Sequence, residues 1–89
     1  MRTLIEWPSV SETIESKAAQ YPRLIQAYEG LRWWLSRHPE RGELMADTRH
    51  WIFKQQGDGR IKVPEITAIY TFDHTTVEII AVLVTMPPV

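Results

Sequence analysis

Apolar and polar side chains alternate along the last third of the chain, where Ile66, Ala68, Tyr70 and Phe72 fall on one face of an extended segment and Thr67, Ile69 and Thr71 on the other. Asp73, His74, Thr75 and Thr76 supply a turn, and Val77 to Val84 is then apolar on both faces, with Val77, Ile79, Ala81 and Leu83 on one and Ile80, Val82 and Val84 on the other. Such a strand is central, or covered on its second face by a partner. Upstream the period changes from two to 3.6. Val10, Ile14, Ala18 and Tyr21 predict a first helix from about Pro8 to Gln20, with Ser9 and Glu12 at the spacing of a capping box. Leu24, Tyr28, Leu31 and Leu35, widened by Ile25 and Trp34, predict a second helix opened by Pro22. Gly30 inside it costs about 1 kcal/mol against alanine and marks a close approach to a neighbouring element.

The remaining segments fill in around these elements. Arg2 to Trp7 is β-compatible and stopped by Pro8; His38-Pro39-Glu40-Arg41-Gly42 ends the second helix and opens a loop through about Thr48. Arg49 to Gln55 alternates as a strand, with Trp51 and Phe53 on one face and His50, Ile52 and Lys54 on the other. Gln56-Gly57-Asp58-Gly59 is a turn signal, after which a strand resumes at Arg60 or Ile61, with a bulge or break at Pro64. The expected fold is α+β, a short N-terminal strand, a two-helix hairpin and then an antiparallel three-stranded sheet, in a single domain over 1–89.

Composition narrows the function classes. Eighty-nine residues form one small domain that buries roughly 60–65% of its unfolded-chain surface. The absence of cysteine excludes disulfides, thiolate metal sites and a cysteine nucleophile, and suits a cytoplasmic setting. Neither a signal peptide nor a membrane span is expected. The net charge of −1 gives no global pull on nucleic acid, but Arg32 to Lys62 carries seven basic against four acidic residues. The three histidines lack the spacing of metal ligands, so neither a metal nor another cofactor is expected.

Two segments carry a family likeness. Leu31 to Leu44 has a helix end followed by an "L…P…G..L" loop through Pro39, Gly42 and Leu44, and Ile69-Tyr70-Thr71-Phe72-Asp73 has a "YxxD" strand end. With the order strand, helix, helix and three strands, the chain resembles the RelE/ParE superfamily of toxins from type II toxin-antitoxin systems. The resemblance implies a domain bound by an antitoxin protein. It also implies one of two activities, ribosome-dependent cleavage of mRNA that stops translation, or inhibition of DNA gyrase. Lys54 matches a family site position, and the resemblance makes Lys54, His50 and Arg60 the candidate catalytic residues and Arg49 and Lys62 the candidate RNA contacts. Cleavage needs such cations because phosphoryl transfer builds negative charge on oxygen. A lone lysine or histidine on a strand is, in other chains, usually a solvated or partly buried side chain. Two features depart from the family: the arginine commonly found three residues before the strand tyrosine is Thr67 here, and the final strand is followed by Thr85-Met86-Pro87-Pro88 rather than basic and aromatic residues. They favour the alternative of a non-enzymatic interaction module of the same fold, including a homodimer formed through the apolar last strand. Of the four tryptophans, Trp34 lies on the helix stripe and belongs to the core, which leaves the adjacent Trp33 to point outward as an anchor for a partner protein. Tyr70, on the apolar face of its strand, is expected in the core.

Overall fold

Pro8 separates the first two elements: its ring ends β1 (Thr3–Glu6) and occupies the first position of α1 (Pro8–Ala18). The helix therefore starts two residues earlier than a Ser9 cap would place it. Trp7 is the N-cap with no side-chain capping bond, and Ser9, already inside the helix, accepts the Thr13 hydroxyl on its carbonyl at 2.8 Å, so the expected capping box is not formed. The computed structural model describes residues 1–88, and Val89 of the C-terminal segment lies outside them. α2 (Leu24–Arg37) follows, then a 3₁₀ turn (Pro39–Arg41), β2 (Glu43–Leu44), β3 (Trp51–Gln55), a second 3₁₀ turn (Gly59–Ile61), β4 (Glu65–Phe72) and β5 (Thr76–Thr85).

The order of one strand, two helices and then strands is as expected, but the sheet has five strands in the order β1-β5-β4-β3-β2, not three. β1 joins it by lying parallel to β5, with Leu4 beside Val77 and Glu6 beside Ile79, while the other neighbours are antiparallel. β2 arises inside the expected loop: Glu43 and Leu44 pair with Ile52 and Trp51, and the Met45 amide donates to the His50 carbonyl at 2.9 Å. Two paired residues are too few for any periodicity to register. Nor does a strand resume at Arg60. Asp58 and Val63 exchange both backbone hydrogen bonds at 2.9 Å around the 3₁₀ turn, Asp58 Oδ1 accepts the Arg60 amide at 3.0 Å, and Lys62 takes a left-handed φ of 59° before Pro64 releases the chain into β4.

The core forms where one sheet face meets both helices. Val10 and Ile14 of α1 and Leu24, Tyr28, Leu31 and Leu35 of α2 pack with Ile66, Ala68, Tyr70, Val77, Ile79 and Val84, all buried. β5 reaches this arrangement through a bulge. Ile69 pairs with Ala81 and Tyr70 with Ile79, which leaves Ile80 over and switches the inward phase from Val77 and Ile79 to Val82 and Val84. That phase switch accounts for a strand that is apolar throughout, and it separates Leu83, exposed, from Val77 and Ile79, with which strict alternation would group it. β5 is indeed central, between β1 and β4. Two helix assignments are corrected: Ile25 is exposed rather than part of the buried stripe, and Gly30 is exposed, with only the Gln55 side-chain amide 4.0 Å from where a Cβ would stand.

Candidate functional surface

Alternation on β3 turns Trp51, Phe53 and Gln55 toward the helices, and Gln55 Nε2 donates to the Ala27 carbonyl at 2.7 Å. Ile52 and Lys54 take the opposite face, which no helix covers. Register lays out that face in rows. Lys54 lies beside Thr67, and Thr67 beside Leu83; Ile52 lies beside Ile69, and Ile69 beside Ala81; Thr71 lies beside Glu78, and Glu78 beside Ile5 of β1. Trp7 Nε1 donates to the Glu78 carboxylate at the β1 edge. The open face thus runs from an acidic, tryptophan-capped edge through an apolar middle to Lys54.

Two grooves flank it. One, of about 450 Å³, is lined by Arg41, Gly42, Glu43, Ile52, Lys54 and Thr67. Its wall exists because Gly42 lets the chain pass tight against the sheet: a Cβ there would stand 2.8 Å from the Ile52 carbonyl oxygen and collide with the Tyr70 hydroxyl. Tyr70, fully buried as expected, donates that hydroxyl to the Pro39 carbonyl at 2.6 Å. Burial pushes its ionisation up to about 12, against the contrary effect of a Gly42 backbone hydrogen bond, so the phenol stays neutral and structural. The second groove, of about 410 Å³, lies at the opposite end of β4 and is lined by Arg49, Thr71, Phe72, Asp73, Thr76 and Glu78.

The six residues singled out from sequence are dispersed. Arg49 and His50 precede β3, Lys54 lies about 13–16 Å further along it, and Arg60 and Lys62 lie beyond its end in and after the 3₁₀ turn. Arg49 and Lys54 face different grooves, and Arg60 is paired with Asp58 at 3.4 Å. All five are exposed, as is Trp33 on α2. Among the described residues no cluster of three or more His, Asp or Glu is placed to hold a metal ion, and no helix is long and apolar enough to cross a membrane.

Sequence reasoning missed Arg41 at the Lys54 groove and a third groove on the helix side, where the start of β1 meets the end of α2. The Arg2 amide donates to the Ser36 carbonyl at 2.9 Å and so brings Arg2 to Arg32, Trp33 and Arg37. Arg32 and Arg37 flank Trp33 in the sequence and could have been found; Arg2 arrives through a contact across 34 residues that no local pattern announces.

The fold and its surfaces define a two-layer α+β domain with its helices on one sheet face and the other face open. No family model and no curated protein matches the chain.

Proposed function

We propose that this chain is a toxin-type domain of the RelE/ParE kind, which acts in the cytoplasm by holding a macromolecular target against its uncovered sheet face and is restrained by an antitoxin protein. The supporting observation is the way the elements are used: after one strand and two helices, β3, β4 and β5 run antiparallel in succession, and all helical mass lies behind them. That leaves in front a broad surface with an exposed lysine beside a groove. If mRNA on the ribosome is the target, the ribose 2′-hydroxyl attacks the adjacent phosphorus and the 5′-oxygen leaves. The Lys54 ammonium, with Arg41 across the groove, then supplies positive charge to the phosphate oxygens.

A second reading, binding without cutting, includes inhibition of a topoisomerase. It is favoured by the residue beside Lys54. Thr67 is its direct neighbour across β3 and β4, so the place where a second cation would adjoin Lys54 holds a hydroxyl, and Arg60 is paired with Asp58. A reconstituted translation assay separates the two. The wild-type protein is expected to produce new primer-extension stops in the ribosomal A site and Lys54→Ala is not. An intact message with normal protein yield would sink the ribonuclease form and move the test to supercoiling by gyrase.

A further inference from the structure

We propose that the helix-side groove between the start of β1 and the end of α2 binds single-stranded nucleic acid, with an unpaired base stacked on Trp33 and phosphates held by Arg2, Arg32 and Arg37. The groove measures about 440 Å³, and no carboxylate lines it among the described residues. It lies on the helix layer, away from the Lys54 face, and so goes beyond the target surface proposed above.

The cations are set rather than scattered. Arg37 lays its guanidinium 4.3 Å from the centre of the Trp33 ring and is pinned there by hydrogen bonds from Nη1 to the Trp33 carbonyl at 3.4 Å and to Ser36 Oγ at 3.3 Å. Arg2 is held by its Nε donating to the Asp73 carbonyl at 2.7 Å, with its guanidinium 5.5 Å from the Phe72 ring centre. Neither has a carboxylate partner among the described residues, and Arg32 meets only Glu6, at 3.9 Å on its far side. Arg2 and Arg37 thus keep N–H donors and uncompensated charge for an incoming anion, while Arg32 shares its charge with Glu6 and adds its remaining donors. Trp33 remains 53% exposed although Arg37 covers part of its ring, so a broad apolar plane is presented beside the charges.

A planar slot between guanidinium groups discriminates among anions. An acidic peptide would satisfy the charge but offers no flat partner for the indole, whereas every nucleobase has a π-face. A duplex, with its bases already stacked, fits only the charge half of the site.

The test is fluorescence anisotropy of the full chain with a labelled oligouridylate of about 10 nucleotides at about 50 mM salt, each variant first shown to be folded by circular dichroism. Binding is expected with a log–log salt slope of about −2, reduced by about 0.7 in Arg32→Ala and again in Arg37→Ala. Trp33→Ala is expected to weaken binding about 5- to 100-fold, and a duplex of the same length to bind less tightly than the single strand. Arg23→Ala, which removes an exposed charge that lines none of the three grooves, is expected to bind as wild type. Absence of binding would overturn the proposal, as would a duplex bound equally well, a polyglutamate probe bound more tightly with the same dependence on Trp33, or binding lost in Lys54→Ala and kept in Trp33→Ala. In that last case nucleic acid binds the sheet face instead, and the proposed target surface stands while the groove does not.

Discussion

The hydroxyl of Tyr70 donates to the carbonyl of Pro39 at 2.6 Å, tying the middle of the sheet to the turn that ends α2. The bond is buried, and the turn it anchors carries Arg41 and Gly42 into the groove beside Lys54. Tyr70→Phe leaves the Pro39 carbonyl without this donor and is expected to cost about 1–2 kcal/mol in urea unfolding. Gly42→Ala is expected to cost about 1–3 kcal/mol, because its Cβ has the Ile52 carbonyl and the Tyr70 hydroxyl in its way. The two losses should sum to less than additive in the double variant, since Tyr70→Phe removes one of the atoms that the new methyl meets. Strict additivity would show that the two residues do not share this contact.

The same tyrosine sets an alkaline limit. Its ionisation is raised from 10.0 to about 12 in the fold by burial, and that of Tyr28 is raised further, by burial first and then by its hydrogen bond to Glu6. Above pH 10 the unfolded chain releases these protons while the folded chain holds them, so the stabilisation is complete below pH 10 and is lost as pH rises toward 12. Urea midpoints measured from pH 9 to 11.5 are expected to fall, and Tyr70→Phe to fall less steeply over the same range. Identical slopes would show that Tyr70 titrates alike in both states.

Leu31 and Ile25 occupy the same helix but different surroundings, one fully buried and the other 47% exposed. Leu31→Ala is expected to cost about 2–5 kcal/mol through lost burial and the cavity it leaves between α2 and the sheet. Ile25→Ala is expected to change stability by less than about 1 kcal/mol. Comparable losses at the two positions would mean that Ile25 is covered in solution.

The contrast between these residues shows what the sequence carried. The i, i+4, i+7, i+11 spacing of Leu24, Tyr28, Leu31 and Leu35 and the alternation of Ile66, Ala68 and Tyr70 were legible because each repeats one contact with the core over several turns or pairs. The two-residue β2, the bulge at Ile80 and the parallel docking of β1 were not, since each depends on a partner far along the chain rather than on a local period. The site divides in the same way. Lys54 and Trp33 follow from element phase, whereas the Arg2 cluster and the Gly42 close approach arise only where distant segments meet.

Asp73 closes the turn between β4 and β5 by accepting the amides of Thr75 and Thr76, both at 2.8 Å, and the Thr75 hydroxyl at 3.1 Å. The backbone bond from Thr75, then that from Thr76, holds its carboxyl below the ordinary range. Such a group stabilises the fold above the unfolded pKa, near 3.8, and loses that contribution as pH falls through the folded value. Asp73→Asn keeps an acceptor oxygen but cannot titrate. Its stability is expected to decline less steeply than wild type below pH 4, and Asp73→Ala to be less stable at neutral pH as well. An unchanged acid profile in Asp73→Asn would place the acid sensitivity elsewhere.

Thr67 offers a gain-of-function test of the proposed chemistry. Its Cα faces that of Lys54 across β3 and β4, and its side chain lines the same groove as Lys54 and Arg41. An arginine at this position sets a forked guanidinium beside an ammonium, and the two together clamp a phosphate better than either alone. If the surface carries out phosphoryl transfer, Thr67→Arg is expected to raise A-site cleavage about tenfold or more, the scale on which single charge-stabilising groups act on such steps. The increase should disappear in Thr67→Arg/Lys54→Ala. If the domain binds without cutting, Thr67→Arg is expected to tighten association with ribosomes or RNA, with a steeper salt dependence and no primer-extension stops. Unchanged association and unchanged cleavage in a folded Thr67→Arg protein would exclude this groove from either role, because a guanidinium set beside a docked phosphate must alter how it binds.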